Sequence, residues 1–336
     1  MTKYPTLRPF NGKGKFRRSS SWKEHSLQER WKSFIVVFLA IVLVFATING
    51  FLKSISIKKY FGELSWDDSS SFIALLATSP PSLFIYQNDP KRLVLLSVSP
   101  NFYFATGELG EPLRKIGDVF KVKNEEELTR IATLNFGTKI EKYVIFDNLL
   151  LASKDDADLL FKKFASITTP FSILRGEGGM QTNITRFELL SLWWRLKDLS
   201  IDQLKLVDIS GMSEEVVRAN NQKVLGVDDQ ALARKIREYL ENSKVLASGH
   251  KVLIRNAAGS RLALNLAAAM VSSIGFDIAE LSEAGSLSEK TVILSSKRNS
   301  YEVELLARIF NCDILSSQTE DIVIVLGRDF ASLYFR

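Results

Sequence analysis

The pattern of apolar and polar positions divides this chain of 336 residues into one long apolar stretch and a mixed remainder. Residues 34–52, FIVVFLAIVLVFATINGFL, contain no charged side chain. At 1.5 Å per residue, ~19 helical residues reach roughly across the hydrocarbon core of a bilayer. We therefore predict a single transmembrane helix at 34–52, with a tail at 1–33 before it and globular segments after it.

Beyond this stretch, the pattern changes to the short apolar runs and helical periodicities of an α/β domain at 61–242. Apolar runs bounded by turn residues predict strands, and apolar positions three and four apart predict helices. One helix has a plausible N-cap in Asn124 and three glutamates in its first turn. The predicted strands are 71–77, 82–87, 92–98, 142–147 and 204–209, and the predicted helices are 124–136, 155–164, 186–196 and 228–240.

A small and polar stretch at 243–250 marks the boundary to a second domain at 250–330. Strands are predicted there at 251–256, 276–281, 290–295 and 321–326, and helices at 259–274 and 300–310. The order βαββαβ indicates a split βαβ, ferredoxin-like sandwich. The expected fold class is thus α/β. It combines the transmembrane helix, a mixed-sheet domain flanked by helices, with a lipid-sized apolar cleft as one option, and a small βαββαβ α+β sandwich.

Positive charge is concentrated ahead of the apolar stretch. Residues 1–33 carry nine Lys or Arg and two Glu, a net of +7, whereas the whole chain has a net of +6. The positive-inside rule predicts that this tail lies in the cytoplasm and that 53–336 lie outside the plasma membrane, although Lys53, Lys58 and Lys59 weaken the bias. A cleaved signal peptide is the alternative, but FLKSISIKKYF offers no clear cleavage site. The tail is expected to contact anionic lipid headgroups, and nucleic-acid binding is the less favoured interpretation.

The content of cysteine and histidine narrows the chemistry. Because Cys312 is the single cysteine, this sequence forms no intrachain disulfide. The two histidines, His25 and His250, are too few for a His-rich zinc site. A Ser-His-Asp triad in the outer region would need His250 as its base. A metal held by carboxylates remains open, but no set of metal ligands is predicted.

Several motifs recur in an order that is typical of bacterial envelope proteins. In the last segment they are VLIRNAAG at 252–259, the Gly275-Phe276-Asp277 turn, KTVIL, and DIVIVLGRD at 321–329. Together they resemble the LytR C-terminal domain. In the middle segment they are LFIYQNDPKRLVLLSVS at 83–99, FGTKIEKYVIFD at 136–147, and the stretch 178–209. These resemble a divergent LytR-CpsA-Psr domain, and the basic tail, single anchor and domain order also suit that family.

The resemblance implies a chemistry that this sequence does not fully support. Active members of the family are similar to phosphotransferases that move a glycopolymer from a polyprenyl pyrophosphate onto peptidoglycan. Such a reaction requires arginine forks and a carboxylate-held Mg²⁺ to neutralise the pyrophosphate. The family's Arg-x-Asp-Thr-like stretch falls here at Ser79-Pro80-Pro81-Ser82, and its Pro-Arg-Asp falls at Pro100-Asn101-Phe102. Only the proline of the second motif is kept, so no catalytic residue is carried over.

The remaining candidates for ligand binding are basic and aromatic. Arg114, Arg130 and Arg175 are candidates for phosphate contact, or else surface arginines, and the loop at 175–179 either lines a lipid cleft or is a connector. Trp193 and Trp194 are adjacent on one helix and therefore point about 100° apart. We expect one of them in the core and the other at a domain contact or groove mouth, where it would form an aromatic wall beside a prenyl tail or a sugar.

One further candidate lies in the C-terminal segment. The helix predicted at 259–274 follows Asn256-Ala257-Ala258-Gly259, a turn that exposes backbone N–H groups and can hold an anion. The simpler interpretation, which we favour, is a tight connection from strand to helix.

Two functions are consistent with the sequence. The first is a non-catalytic, membrane-anchored envelope protein that needs no cofactor and binds peptidoglycan, a glycopolymer, a polyprenyl-phosphate lipid or an envelope partner. The alternative is an active transferase that uses Mg²⁺ and relocated basic and acidic residues. It requires Arg114, Arg130, Arg175 and a carboxylate to converge on one apolar cleft. DNA binding is disfavoured, because the residues that follow the tail and lie outside lack a basic excess.

Overall fold

The computed structural model describes residues 66, 70–109, 111–120, 124–151, 153–175, 180–218 and 221–336. The predicted tail at 1–33, the predicted transmembrane helix at 34–52 and the start of the domain predicted from residue 61 lie outside these residues. Within the described ranges, no helix is both long enough and apolar enough to span a bilayer. Residues 62–336 belong to one compact unit.

A mixed sheet of six strands organises the first half of this unit, which confirms the expected α/β class. Its strands in spatial order are Met180–Thr182, Lys142–Leu150, Phe72–Ser79, Ser82–Asn88, Lys91–Ser97 and Leu204–Asp208. Numbered by their order along the chain, these six strands are β7, β6, β1, β2, β3 and β8, respectively. Neighbours β1, β2 and β3 run antiparallel to one another, whereas β6 lies parallel to β1 and β8 parallel to β3. Two hairpins complete the strands of this half: β4 (Tyr103–Ala105) with β5 (Leu113–Lys115), and β9 (Ser213–Val217) with β10 (Lys223–Val227).

Seven helices of this half are described, and their termini follow the capping residues of the sequence. The helix α2 begins after Asn124, whose side chain accepts a hydrogen bond from the Glu127 amide, and ends at Gly137 in a left-handed conformation. Ser153 and Asp156 form a capping box on α3, and Thr185 and Glu188 form one on α5. The helices are α1 (Ile116–Val119), α2 (Glu125–Phe136), α3 (Lys154–Ala165), α4 (Thr169–Arg175), α5 (Arg186–Leu196), α6 (Asp229–Leu240) and α7 (Ser243–Ser248).

Alternating side chains of the six-stranded sheet enter two separate cores. On one face, Leu75, Ile85 and Leu96 pack with the apolar stripes of α2 and α6. On the other face, Leu76 and Leu95 pack with α3, α4 and α5. Successive residues of a strand point to opposite faces. Strands that are buried on both faces therefore read as continuous apolar runs, as the sequences of β1 to β3 do.

The second half contains a five-stranded sheet in the order β12, β11, β15, β13, β14. Its elements are β11 (Lys251–Asn256), α8 (Arg261–Ser273), β12 (Asp277–Glu283), β13 (Val292–Ser295), α9 (Tyr301–Phe310), β14 (Asp313–Ser316), β15 (Ile322–Leu326) and α10 (Arg328–Tyr334). The expected split βαβ sandwich was wrong. Each crossover helix joins two adjacent parallel strands, β11 with β12 and β13 with β14. The strand β14, which the apolar pattern did not predict, is short and largely exposed.

The two halves are in direct contact. Leu134 of α2 packs against the core of the second half, and Asn242 donates a hydrogen bond to the hydroxyl of Tyr301 over 2.7 Å. The stretch at 243–250, expected as a polar boundary, forms α7, which Asn242 caps. The domain ranges 61–242 and 250–330 stay a prediction.

Candidate functional site

The main cavity of interest lies between the six-stranded sheet and the helices α3, α4 and α5. It has a volume of about 490 Å³ and its wall is almost entirely apolar. The strands supply Phe72, Ala74, Leu76, Phe84, Leu93, Leu95, Val144 and Phe146, and the helical side supplies Ala157, Leu159, Leu160, Phe161, Phe164, Ile184, Leu189, Leu192 and Leu196. The structure thus contains an apolar cleft in this domain, which the sequence offered as one option. The sequence did not predict which residues line it.

The sheet side of the cavity is fixed by strand register. Ala74 of β1 lies opposite Phe84 of β2, which in turn lies opposite Leu95 of β3. These side chains share one face of the sheet because residues opposite each other on neighbouring strands point the same way. Ala74 is the smallest of the three side chains, so a larger residue at this position would extend towards the cavity.

The helical side is fixed by polar contacts at helix termini. The carboxylate of Glu188, which has no exposed surface, accepts hydrogen bonds from the Thr185 amide and hydroxyl and from the ammonium of Lys142, at 2.9, 3.1 and 2.9 Å. Because Lys142 begins β6, this contact ties α5 to the sheet. The indole of Trp193 donates to the carbonyl oxygen of Ser166 over 3.0 Å, which ties α5 to the turn between α3 and α4.

Three of the described residues that border the cavity are polar: Asp156, Lys163 and Thr169. Asp156 accepts hydrogen bonds from the amide and the hydroxyl of Ser153 in the capping box of α3. The hydroxyl of Thr169 donates to the carbonyl oxygen of Lys163. Two of the three groups are thus engaged in helix termini, and the ammonium of Lys163 is the one cationic group in the described wall.

The segments that correspond to the family's catalytic motifs hold no cluster of charge. The hydroxyls of Thr78 and Ser82 both donate to the carbonyl oxygen of Pro80, at 2.7 and 3.2 Å. Pro100 accepts a hydrogen bond from the Gly117 amide, and Phe102 is buried. These contacts form a tight turn and a core contact. No group of three or more His, Cys, Asp or Glu side chains suited to a metal ion occurs among the described residues.

Arg114 and Arg130 do not border the cavity. Arg114 pairs with Glu111 over 2.9 Å and with Glu127 of α2, on the opposite side of the sheet. The hydrogen bond with Glu111 raises the pKa of the Arg114 guanidinium, although burial acts in the other direction.

Arg130 is almost fully buried and holds the end of the chain in place. Its guanidinium donates to the carbonyl oxygens of Thr106 and Tyr334 and pairs with Glu108 over 2.8 Å. The prediction of a surface arginine was therefore wrong for Arg130. Tyr334 lies 204 residues further along the chain, and no local sequence signal announces this contact.

Arg175 and the tryptophans lie on the helical layer beside the cavity. Arg175 is exposed at the end of α4. Trp193 is half-buried and packs against the core of this face, whereas 62% of Trp194 is exposed. Their rings lie 6.1 Å apart, and the ammonium of Lys197 lies 3.5 Å from the centre of the Trp194 ring. The two indoles thus occupy different environments, as the spacing predicted.

Asn256 and Gly259 form the connection from β11 to α8. The buried side chain of Asn256 donates to Glu283 over 2.8 Å and accepts from the Ala258 amide over 3.2 Å. Gly259 adopts a φ of +72°, which favours glycine, and Ser260 then caps α8. The side chain of Asn256 thus contacts both the turn and β12, and the choice between an anion site and a plain connection stays a prediction. Arg114, Arg130, the tryptophan pair and Asn256 therefore occupy separate places, and ligand binding by any of them stays a prediction.

Comparison with known proteins gives structural matches alone. No family model matches the chain, and no curated protein matches it. The chain is similar to Bacillus subtilis TagV, with 14% identity over 52% of this chain and 98% of TagV and a TM-score of 0.40. It is also similar to TagT bound to LIIa-WTA, with 10% identity over 53% of this chain and 93% of TagT and a TM-score of 0.40. A third match is the Lin1025 protein of Listeria innocua, with 13% identity, coverage of 51% and 97%, and a TM-score of 0.39.

At these identities and TM-scores, the matches assign no role to any residue of this chain. A function has to be inferred from the cavity itself.

Proposed function

We propose that the apolar cavity binds the prenyl tail of a lipid-linked cell-envelope precursor, and that the protein holds this lipid without catalysing transfer. The observation that carries this proposal is the wall of the cavity between the sheet and helices α3 to α5, where seventeen of twenty residues are apolar. Burial of a tail made only of carbon and hydrogen in such a space is favourable in free energy, and the tail needs no hydrogen-bond partner there.

The size of the cavity suits part of a prenyl tail. An engineered cavity of ~150 Å³ binds benzene, which has six carbons. By that ratio, a cavity of 490 Å³ accommodates about twenty carbons, or about four isoprene units. Its volume also lies within the range of ~300–1,000 Å³ that is usual for small-molecule sites. The rest of a longer tail and its headgroup would remain outside the cavity.

The polar groups support binding without transfer. Phosphoryl transfer from a pyrophosphate requires cationic forks and metal-bound oxygens around the reacting phosphorus. The described wall offers one ammonium, Lys163, and the hydroxyls of Thr78 and Ser82 donate to the backbone carbonyl of Pro80. Arg114 and Arg130 form their ion pairs away from this cavity. Convergence of these arginines on one cleft was the condition for the transferase alternative, and the described contacts do not supply it.

The apolar stretch and the basic tail of the sequence support a location at a membrane. In this proposal, the helix predicted at 34–52 anchors the chain in the plasma membrane, the tail at 1–33 stays in the cytoplasm, and the cavity lies outside. Peptidoglycan or a glycopolymer attached to the lipid is then the natural partner of the C-terminal half. The alternative is an active glycopolymer transferase that is assisted by Mg²⁺.

A titration of the full chain in detergent micelles tests the proposal. A short-chain polyprenyl phosphate is added and its binding is followed by calorimetry. The wild type is compared with Ala74→Leu, which enlarges a side chain that lines the cavity. We expect saturable binding that Ala74→Leu weakens at least tenfold. Ala231→Leu on α6 is the matched control, because Ala231 is half-buried and does not line the cavity.

The outcomes separate the two functions. Absent binding, or equal binding by wild type and Ala74→Leu, would refute the proposed site. Release of the glycan from a polyprenyl-pyrophosphate glycan in the presence of Mg²⁺ and peptidoglycan would refute the non-catalytic role and establish the transferase.

A further inference from the structure

The outer surface of helices α4 and α5 is unusually apolar for a surface open to water. The exposed fractions are 80% for Ile167, 64% for Phe171, 44% for Phe187 and 62% for Trp194. In the part of the chain that the structure describes, every exposed Phe or Trp lies on these two helices. We call Ile167, Phe171, Phe187, Trp194 and Lys197 the α4–α5 surface.

The helical spacing explains why α5 is apolar on two sides. Phe187, Leu190 and Trp194 follow one another at intervals of three and four residues, so they share one stripe of the helix. Leu189, Leu192 and Leu196 form a second stripe, which lines the cavity. A helix with one apolar stripe fits a soluble fold, and a second stripe indicates a second apolar neighbour.

The charge of this region differs from that of the rest of the folded part. Residues 154–197, from the start of α3 to Lys197, contain seven Lys or Arg and five Asp or Glu, a net of +2. One of these acidic residues, Glu188, is fully buried and paired with Lys142. By contrast, the full set of residues that follow the tail carries no positive excess. Basic side chains beside exposed aromatic rings complement a surface that has apolar depth and negative headgroups.

The anchor predicted at 34–52 limits how far this region lies from a bilayer in our proposal. Residues 53–65, which link the predicted anchor to the described part, span at most ~45 Å when fully extended. The first described residue, Trp66, is buried, and the guanidinium of Arg195 on α5 lies 5.4 Å from the centre of its ring. The chain therefore joins the folded part beside α5.

We propose that the α4–α5 surface docks on the outer face of the plasma membrane, with its aromatic side chains in the interfacial layer and Lys197, together with Lys162 of α3, on anionic headgroups. Trp and Phe side chains next to cations are the usual composition of such an interface. This inference rests on the proposed function, because α4 and α5 also wall the cavity. Docking places the cavity beside the leaflet from which a prenyl tail is taken.

Site-specific fluorescence of the full chain in lipid vesicles tests the docking. Cys312 is replaced by Ser, and an environment-sensitive fluorophore is attached at Phe171→Cys or, as the control, at Leu287→Cys. The two native side chains have similar exposed fractions, 64% and 59%, and Leu287 lies in the second half of the chain. The vesicles contain phosphatidylcholine with or without phosphatidylglycerol, and a lipid whose acyl chain carries a nitroxide quencher.

We expect the label at position 171 to be quenched at least twofold more than the label at position 287 in the anionic vesicles. The double variant Lys162→Glu, Lys197→Glu and an increase in salt are both expected to reduce this difference, because the first removes positive charge and the second screens it. Lys251→Glu with Lys290→Glu is the charge-matched control, since both of these lysines are exposed on the second half.

Equal quenching at the two positions would overturn the docking. Shielding of the label at 171 in micelles without vesicle lipid would also overturn it and indicate a second copy of the chain as the occupant. The assay needs no prenyl ligand, and Ala74→Leu is expected to leave the quenching unchanged. Docking without prenyl binding would therefore refute the proposed function alone, and prenyl binding without docking would refute this inference alone.

Discussion

The substitution Ala74→Leu tests whether the space between the sheet and the helices is open. Ala74 lies on the central strand β1, is 1% exposed and borders the cavity. Leucine adds three carbon groups, and at the ratio of ~25 Å³ per carbon used above they take up about 75 Å³. Since Ala74 lines the cavity of 490 Å³, we expect the cavity to receive the larger side chain.

The sign of the stability change follows from this space. Burial of three more carbon groups contributes about 2.4 kcal/mol, at ~0.8 kcal/mol for each group. Loss of rotamer freedom of the leucine side chain subtracts ~0.5–1 kcal/mol. We therefore expect Ala74→Leu to stabilise the chain by about 1.5 kcal/mol when no ligand is bound. In a filled core, the same change would destabilise by ~1–3 kcal/mol through overpacking.

The assay is urea unfolding of the full chain in micelles, followed by tryptophan fluorescence. Trp66 and Trp193 both pack against the core on the cavity side, so this signal reports on the relevant half. The matched control is Ala132→Leu. Ala132 is 3% exposed and belongs to the core on the opposite face of the sheet. If Ala74→Leu destabilises the chain as much as Ala132→Leu does, the space is filled and the proposed prenyl site loses its basis.

Three further predictions address contacts away from the cavity floor. Arg130→Met is expected to reduce the free energy of unfolding by ~3 kcal/mol, because it leaves two carbonyl acceptors and a carboxylate without their donor; a urea midpoint within experimental error of the wild type would contradict this. Glu188→Ala removes the capping box of α5 and the partner of Lys142, and should lower that free energy by ~2 kcal/mol, whereas Glu188→Gln should lose less. Burial raises the pKa of the Cys312 thiol to about 12, so alkylation at pH 8 should be at least ~10³-fold slower in the folded than in the urea-unfolded chain. An alkylation rate similar to that of the unfolded chain would contradict this prediction and show that the thiol is accessible. The same pKa shift implies that the free energy of unfolding falls as pH rises above ~8.5, where the thiol of the unfolded chain ionises first.

The elements that the sequence predicted correctly carry their signals locally. Strands β1, β2 and β3 are continuous apolar runs separated by turn residues, and α2 and α5 begin at capping residues that are visible in the sequence. The hairpin of β9 and β10 was missed because most of its side chains are exposed and it has no apolar run. The topology of the second sheet was wrong because β11 and β12 are adjacent and parallel, whereas a split βαβ unit has another strand between them. The edge strand β14 was missed because it is equally exposed.

The candidate site was harder to predict because its geometry is non-local. A lipid-sized cleft was one expectation, but the floor at Ala74 depends on strand pairing and the lid depends on the Lys142–Glu188 contact between residues 46 positions apart. Arginines were sensible candidates for phosphate contact by residue type. Their actual partners, Glu111, Glu127 and the carbonyl of Tyr334, were decided by the packing of α2. Composition indicates which side chains are able to bind phosphate, and packing decides which of them are already engaged.

The tryptophan pair connects the two proposals. Trp193 is held by Ser166 at the turn that joins α3 to α4, so the lid of the cavity depends on this contact. Trp194 points away from that core and forms a stack with Lys197 on the outer surface. In the two proposals, one helix separates a space for a prenyl tail from a surface that docks on the membrane. A transferase needs cations beside this space to activate a pyrophosphate, whereas a protein that only holds the lipid does not. The almost uncharged wall formed by the described residues therefore supports the proposal that the lipid is held and its headgroup is left intact.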